Sequence, residues 1–266
     1  MIRLVFLDID GTLHGPMGVP ECAWKAAEQA RAAGVHLAIC TGRPGRGFAL
    51  EYAQRLEASG LHIFESGAVV RDGFGKIVHS SALSTQHFIR VVELGREFGV
   101  PFEIYTERSG FFIEKPAADL EAHQRMIGIQ AELYPAQNIG DRVVRVQFVA
   151  REGESWLLLR NKLRLLEGVE LHEATSPALP GIGFNSVTAS GVSKLSAARF
   201  VAAYYQLGIE SAAMVGDGEN DLELIQSVGL GIAMGEAPAS VKKAARRVVS
   251  TVENCGLAEA LQLVLA

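Results

Sequence analysis

The most constraining feature of the sequence is a short apolar run that ends abruptly in two carboxylates. Residues 4–7 are all apolar, and Asp8-Ile9-Asp10-Gly11-Thr12 follows at once. A short β-forming run stopped by glycine is typical of a buried strand that enters a turn. Because side chains alternate along a strand, Asp8 and Asp10 should point the same way at its end. Two such carboxylates are costly unless a cation or a proton lies between them, so the segment predicts a functional cation site.

Two more predicted strands end in polar clusters. Val35 to Cys40 runs into Thr41-Gly42-Arg43, and Ala212 to Gly216 runs into Asp217-Gly218-Glu219-Asn220-Asp221. Helices are predicted between the strands, which indicates an α/β fold with a Rossmann-like parallel sheet. Ligands bind at the carboxyl ends of the strands in such sheets, so we expect the three clusters at one edge.

The middle of the chain breaks this pattern. Predicted short strands there, such as 143–149 and 182–188, alternate with helices in an order that has more antiparallel character. The chain of 266 residues is long enough for two modest domains. We therefore predict a core formed by residues 1–81 and 187–266, with an α/β cap domain, residues 82–186, inserted into it.

The residue types at the predicted edge suit phosphate chemistry. Carboxylate oxygens without histidine or cysteine partners favour Mg²⁺. Lys194 lies near the start of a predicted helix, where the helix dipole also favours an anion. A metal ion and a lysine would offset the repulsion between a phosphate dianion and an aspartate nucleophile.

Composition limits the partners and the compartment. The net charge of −5 argues against a general nucleic-acid binder, and no uncharged apolar stretch reaches membrane-spanning length. Residues 1–7 lack the layout of a signal peptide. Cys22, Cys40 and Cys255 are odd in number and widely spaced, which fits reduced thiols. We expect a cytoplasmic protein, a monomer or a small homo-oligomer, that binds neither nucleic acid nor a membrane.

Four motifs occur together in a recognisable order. They are Asp8-Ile9-Asp10-Gly11-Thr12, Thr41-Gly42-Arg43, Gly191-Val192-Ser193-Lys194 and Gly216-Asp217-Gly218-Glu219-Asn220-Asp221. Over essentially its whole length the chain resembles phosphatases of the haloacid dehalogenase superfamily, in the Cof-type branch with a large cap. One departure is Ser66-Gly67-Ala68, where many relatives have Asn-Gly-Ala. Serine can still make a loop hydrogen bond, so we expect little effect on catalysis.

The resemblance implies roles for four catalytic residues. Asp8 would be the nucleophile and would become an aspartyl-phosphate. Asp10 would protonate the leaving oxygen and then deprotonate the attacking water. Thr41 and Lys194 would bind phosphate oxygens, although Thr41 could instead only cap the turn after its strand.

The resemblance also implies a magnesium site. Mg²⁺ would be held by Asp8, by Asp217 and by the backbone carbonyl of Asp10. Asp221 would not bind the ion directly but would orient a water molecule that the ion binds. A plain helix first-turn carboxylate is the alternative role for Asp221, and the two are compatible.

Five further residues are candidates for binding the substrate. Asn220 matches a family position that contacts the transferring phosphate, but a turn role is equally supported. Gly42 lets the backbone bend tightly near the phosphate. Arg43 either braces its loop or touches the substrate. Arg145 and Gln147 share one face of the predicted strand 143–149 and could select the leaving group; an exposed polar face of a half-buried strand is the alternative.

These observations predict a Mg²⁺-dependent phosphatase that acts on a small phosphorylated metabolite, with a sugar phosphate as the leading substrate class. Two alternatives remain open at this point. The same scaffold could support a phosphomutase, which would return the phosphoryl group to a sugar. It could also serve as a non-catalytic binding or regulatory protein, although the acidic motif positions are all present.

Overall fold

The computed structural model describes residues 1–134, 140–175 and 179–266. It divides into two compact units, one formed by residues 1–78 and 194–266 and the other by residues 79–193. These bounds differ from the predicted 81/82 and 186/187, and the second predicted bound would cut the continuous strand Ile182–Ala189. The strand ends in a turn at Gly191, whose φ of 76° favours glycine. Residues 135–139 and 176–178 of the predicted cap lie outside the described part.

The strands follow the predicted apolar runs closely. In chain order they are β1 (Leu4–Leu7), β2 (His36–Ile39), β3 (Leu61–Phe64), β4 (Val69–Asp72), β5 (Ile77–Ser80), β6 (Phe102–Thr106), β7 (Phe111–Ile113), β8 (Glu132–Leu133), β9 (Val143–Arg151), β10 (Val169–Thr175), β11 (Ile182–Ala189), β12 (Ala212–Gly216), β13 (Leu230–Ala233) and β14 (Arg247–Val248).

The helices between the strands also match the predicted order. They are α1 (Glu21–Ala32), α2 (Phe48–Glu57), α3 (Thr85–Phe98), α4 (Ala118–Ile127), α5 (Glu154–Arg164), α6 (Lys194–Tyr204), α7 (Leu222–Ser227), α8 (Ala239–Ala244) and α9 (Gly256–Leu265). Short 3₁₀ turns cover residues 65–67, 209–211 and 219–221. Among the residues that the structure describes, no helix is both long and apolar enough to cross a membrane.

The first unit is built around a parallel sheet in the order β14-β13-β12-β1-β2. In its centre β1 pairs with β12 on one side and with β2 on the other, so that Leu7 lies opposite both Val215 and Ile39. Apolar side chains of α1, α2 and α9 pack on one face of the sheet, and those of α6, α7 and α8 pack on the other. The predicted Rossmann-like parallel sheet is confirmed.

A small sheet in the order β3-β4-β5, with β3 and β4 antiparallel, adjoins this core. An isolated parallel bridge between Cys40 and Ile63 links it to the segment after β2. A short glycine-containing turn joins β4 to β5, and Asp72 N donates to Lys76 O across it at 3.0 Å. The bridge between Cys40 and Ile63 matters for the site because it fixes the chain that follows β2.

The second unit has its own sheet, in the order β10-β11-β9-β6-β7-β8. Its pairs are antiparallel except for the short pairing of β7 with β8. Helices α3 and α5 cover one face through a cluster that includes Val146, Phe148 and Trp156. Helix α4 contributes Leu120 to a smaller cluster with Val149 and Phe184. The unit is the predicted α/β insertion, with its own hydrophobic core.

The predicted state of the cysteines is wrong for two of the three. Cys22 in α1 and Cys255, which immediately precedes α9, form a disulfide across a sequence separation of 233 residues. Cys40 is free and buried. Spacing along the chain could not reveal this pair, because only the packing of α1 against α9 brings the two residues together. The cysteine count therefore gives no support for a reducing compartment.

Reducing this disulfide is expected to lower the free energy of unfolding by about 2–4 kcal/mol, because the bond closes a loop that spans most of the chain. Denaturant titration with and without reductant measures the loss. The Cys22→Ser/Cys255→Ser variant serves as the control and should match the reduced wild type and ignore the reductant. Labelling of all three cysteines in denatured protein that was never reduced would contradict the bond.

Candidate active site

The carboxyl ends of three neighbouring strands supply the polar side chains of the site. Asp8 follows β1, Thr41 comes two residues after β2, and Asp217 follows β12. Because β2, β1 and β12 are adjacent and parallel, these residues reach the same edge of the sheet. Lys194 joins them from the first position of α6. The structure thus brings together the clusters that the sequence placed at one edge.

Lys194 is the electrostatic centre of this edge. Its Nζ donates to Asp8 Oδ1 at 2.9 Å and to Asp221 Oδ1 at 2.6 Å. Only 4% of its side chain is exposed. Burial alone would lower the pKa of Lys194, but attraction to Asp221 and Asp8 outweighs it and raises the pKa well above its usual value. The ammonium group therefore stays charged.

The carboxylates still outnumber the lysine. Burial is the main cause that raises the pKa of Asp8 well above its usual value, opposed by Lys194 and reinforced by neighbouring carboxylates. Burial, followed by repulsion from Asp221, raises the pKa of Asp217 to about 7. The site therefore carries an excess of buried negative charge that a further cation would relieve.

Asp8, Asp217 and Asp221 can present carboxylate oxygens that lie within 4.8 Å of one another. Hard oxygen donors without nitrogen or sulfur partners fit Mg²⁺. Both carboxylate oxygens of Asp221 already accept hydrogen bonds. Its Oδ1 accepts from Lys194, and its Oδ2 accepts from the backbone N–H groups of Asp217 and Gly218. This geometry favours a bracing role for Asp221 over direct contact with an ion.

Two residues of the first motif, Thr12 and Gly11, keep Asp217 in place, a role that the sequence does not indicate. Thr12 is fully buried, and its hydroxyl donates to Asp217 Oδ1 at 3.1 Å. Gly11 has a φ of 76°, and a Cβ there would lie 2.2 Å from Asp217 Oδ2. Any larger residue at position 11 would displace Asp217. Their position directly after Asp10 could have suggested that they belong to the site. Only the fold shows that they lie against Asp217.

Thr41 lies buried beside Arg43 in the loop after β2. Its Oγ1 accepts from the backbone N–H of Arg43 at 3.2 Å, so it does cap the turn. A threonine hydroxyl that accepts one hydrogen bond can still donate its own proton. Gly42, between them, is partly exposed. The turn role and the phosphate role predicted for Thr41 are therefore compatible.

Arg43 contacts Asp10. Its Nε donates to Asp10 Oδ2 and its Nη2 to Asp10 Oδ1, each at 2.6 Å. The Arg43 guanidinium carbon lies 4.4 Å from the centre of the Phe48 ring. Of the two predicted roles for Arg43, this contact matches that of a brace, and the residue that it braces is Asp10.

Asn220 lies within a 3₁₀ turn, residues 219–221, and is exposed. Its Oδ1 is close to Gly218, where an added Cβ would meet it at 2.2 Å. The turn after β12 is therefore compact, with Asp221 turned inward and Asn220 outward.

Arg145 and Gln147 lie on β9 in the second unit, and both are buried. The alternative of an exposed polar face is therefore wrong. Gln147 donates from Nε2 to Glu103 Oε2 at 3.1 Å and accepts from the Ser186 hydroxyl at 2.9 Å. The Arg145 guanidinium carbon lies 3.9 Å from the centre of the Tyr105 ring. Gln147 is thus held by hydrogen bonds and Arg145 by a contact with an aromatic ring, which alternation along one strand could not show.

Glu103 is the hub of this second polar group. It is fully buried, and its Oε2 accepts from the Tyr105 hydroxyl at 2.7 Å, while its Oε1 lies 2.8 Å from His123 Nδ1. No pattern in the sequence indicates this group, because Glu103 and His123 come from different elements, β6 and α4.

Comparison with known proteins assigns a family to this arrangement. A sequence model of the haloacid dehalogenase-like hydrolases matches residues 5–261. A 5-amino-6-(5-phospho-D-ribitylamino)uracil phosphatase of Bacillus subtilis is 27% identical over 262 residues, which cover 98% of this chain and 95% of that protein.

Solved structures show the same architecture. A phosphatase of the haloalkanoate superfamily from Bacteroides thetaiotaomicron superposes with a TM-score of 0.83 at 24% identity, over 99% of this chain and 95% of that one. A subclass IIB sugar phosphatase of the same superfamily superposes with a TM-score of 0.81 at 22% identity, over 98% of each chain. At these identities the likeness establishes the fold.

Proposed function

Because the chain belongs to the haloacid dehalogenase-like hydrolase family, as a Cof-type phosphatase, we propose that it hydrolyses a small phosphorylated metabolite through an aspartyl-phosphate on Asp8, with Mg²⁺ as its cofactor. The observation that carries the proposal is the cluster of three carboxylates, Asp8, Asp217 and Asp221, of which the buried pair Asp8 and Asp221 shares the ammonium group of Lys194. Such a set suits a ligand that brings both an anionic phosphate and a divalent cation.

Asp8 is the nucleophile of the proposed reaction. Its carboxylate oxygen bonds to phosphorus while the bond from phosphorus to the leaving oxygen breaks, and Asp10 gives that oxygen a proton. Water then attacks phosphorus, Asp10 takes a proton from it, and the bond to Asp8 breaks to release phosphate. Cys40 is no rival nucleophile, because burial raises the pKa of its thiol far above the usual value.

Mg²⁺ would be held by Asp8, by Asp217 and by the backbone carbonyl of Asp10. When bound, the ion supplies positive charge that offsets the repulsion between the phosphate and the carboxylates. Thr12 keeps Asp217 in place through its hydroxyl, and Asp221 keeps the turn after β12 closed through the backbone N–H groups of Asp217 and Gly218.

Lys194 and Thr41 bind the phosphate oxygens in this proposal. Lys194 contributes a charge that stays in place at any ordinary pH, and Thr41 contributes the hydroxyl proton that its contact with Arg43 does not use. Gly42 allows close approach of the backbone, and Asn220, exposed beside Asp221, would contact the transferring group.

A sugar phosphate is the proposed substrate class. A relative that is named as a phosphatase of a phosphorylated ribityl compound and a structural neighbour that is named as a sugar phosphatase both support it. Arg145 and Gln147 remain our candidates for recognition of the leaving group, Arg145 through its guanidinium and Gln147 through its amide. A cytoplasmic location and a monomeric or small homo-oligomeric state stay predictions.

Removal of divalent metal is expected to abolish phosphate release, and Mg²⁺ to restore it. A panel of phosphorylated metabolites with a generic aryl phosphate, assayed for free phosphate without any sugar bisphosphate, tests both the reaction and the substrate class. A requirement for a sugar bisphosphate would indicate a phosphomutase instead. Full turnover in excess chelator, by protein that contains no metal, would refute the metal assignment.

Metal binding should also be visible without turnover. Since the pKa of Asp217 is raised in the folded protein, the metal-free fold binds a proton that the unfolded chain has lost between about pH 4 and pH 7. The contribution of Asp217 to the free energy of unfolding of the metal-free protein therefore falls as pH rises through this window. At 100 times its Kd at pH 8, Mg²⁺ should stabilise the protein by about 2.7 kcal/mol at that pH, and the same concentration should stabilise it less at pH 5.

A further inference from the structure

The contact between Arg43 and Asp10 assigns a role to Arg43 that goes beyond bracing a loop. We propose that Arg43 is the positioning residue of Asp10, because its two-point ion pair fixes the orientation of the carboxylate that transfers the proton. This inference rests on the proposed function, in which Asp10 serves the leaving oxygen and the attacking water.

The backbone around Asp10 is already fixed without Arg43. The N–H groups of Thr12, Leu13 and His14 all donate to the carbonyl of Ile9, at 3.3, 3.0 and 2.8 Å. The side chain of Asp10 is a different matter, because it is 51% exposed and packing does not hold it. A half-exposed carboxylate on a rigid loop keeps several rotamers, and its contact with Arg43 selects one of them.

Arg43 is well suited to make that selection because it is itself held. Only 9% of its side chain is exposed. Its backbone N–H donates to Thr41 Oγ1, and its carbonyl accepts from Glu65 N at 3.0 Å. Its guanidinium lies over the Phe48 ring, which is stacked on the His14 ring with 5.6 Å between centres. The same loop residue thus links Thr41, a proposed phosphate ligand, to Asp10.

The chemistry of the contact requires arginine. Two parallel N–H donors meet the two carboxylate oxygens, which fixes both the position and the plane of the carboxylate. A lysine would keep the charge but would offer one mobile ammonium group and no planar surface for Phe48. The Arg43→Lys substitution therefore separates orientation from charge.

The test compares a poor leaving group with a good one, because only the poor one needs a proton. We would measure the pre-steady-state rate of leaving-group release, and the substrate concentration that half-saturates it, for an alkyl phosphate and an aryl phosphate with Arg43→Lys, Arg43→Ala and the reference Asp10→Asn. This first step isolates the acid role, because hydrolysis of the aspartyl-phosphate is common to both esters. Arg43→Lys should lower this first-step rate for the alkyl ester about 10–100-fold, the scale of a small misplacement, and leave the first-step rate for the aryl ester and both half-saturating concentrations little changed. Guanidinium ion should partly restore Arg43→Ala on the alkyl ester.

Arg55→Lys is the matched control. Arg55 also stacks on an aromatic ring, with its guanidinium carbon 4.1 Å from the centre of the Trp24 ring, and it pairs with Glu21 at 3.9 Å on the surface. Its replacement should change neither ester's kinetics. The thermal midpoint of each variant shows whether a loss of activity reflects a loss of fold.

Four results would overturn the inference. A rise in the half-saturating concentration for both esters would make Arg43 a phosphate ligand, and an equal fall in the first-step rate for both would make it a structural residue. A selective loss in Asp10→Asn that Arg43→Lys does not share would sink the inference while the proposed function stands. No hydrolysis of any ester by the wild type would instead overturn the proposed function, and this inference with it.

Discussion

Replacing Asp8 with asparagine is expected to abolish turnover while the fold stays intact. An amide keeps the shape of the side chain but cannot act as an anionic nucleophile. We expect kcat to fall about 10⁴-fold or more, the scale seen when other enzymes lose their nucleophile. Phosphate release from an aryl phosphate measures the loss, because formation of the intermediate from that substrate needs little proton donation from Asp10 and little recognition of the leaving group.

The physical state of Asp8 explains why stability should survive this change. Burial already disfavours its charged form, so a neutral amide removes a cost as well as the contact with Lys194. Lys194 keeps its second partner, Asp221. Asp141→Asn, a surface replacement of the same kind in the second unit, is the control for handling and deamidation. Wild-type rates from Asp8→Asn protein that is shown to be free of deamidation would refute the nucleophile.

Replacing Lys194 with methionine is expected to damage stability and activity together. The variant would leave Asp8 and Asp221 as buried carboxylates without their shared cation, and breaking a buried pair in this way costs about 3–5 kcal/mol. Loss of the charge that faces the phosphate should also lower kcat about 10²–10³-fold. Denaturant titration in metal-free buffer and phosphate release with Mg²⁺ measure the two effects.

Two further variants separate these effects. Lys162→Met removes an exposed lysine from the last turn of α5 and should shift stability by less than about 0.5 kcal/mol. Adding Asp221→Asn to Lys194→Met removes one of the stranded charges and should recover part of the stability but none of the activity. Wild-type stability of the metal-free Lys194→Met protein would show that Lys194 does not compensate these carboxylates.

Local patterns in the sequence were enough to predict the sheet edge. The run before Asp8 and the run before Asp217 are short, apolar and followed by glycine, and both are strands whose ends meet. Apolar side chains alone decide that such runs are buried, and the parallel order then follows from the helices between them. The two-residue strand β8 was missed because so short a segment carries no period.

Contacts between distant segments could not be predicted. The disulfide of Cys22 with Cys255, the hydrogen bond from Thr12 to Asp217 and the ion pair of Arg43 with Asp10 each join residues that approach only after the chain has folded. The second domain boundary was misplaced for a related reason, since the end of β11 is set by its pairing with β9 and β10 and by the turn at Gly191.

The central claim is that phosphoryl transfer passes through Asp8, and trapping the intermediate tests it most directly. Asp10→Asn protein mixed with an aryl phosphate and Mg²⁺ should accumulate the intermediate, because formation needs little acid help while hydrolysis lacks its base. After a rapid acid quench, mass spectrometry of the peptide that contains Asp8 should show one added phosphoryl group on Asp8. An unmodified Asp8 at quench times shorter than one turnover, or a phosphoryl group on another residue, would contradict the account.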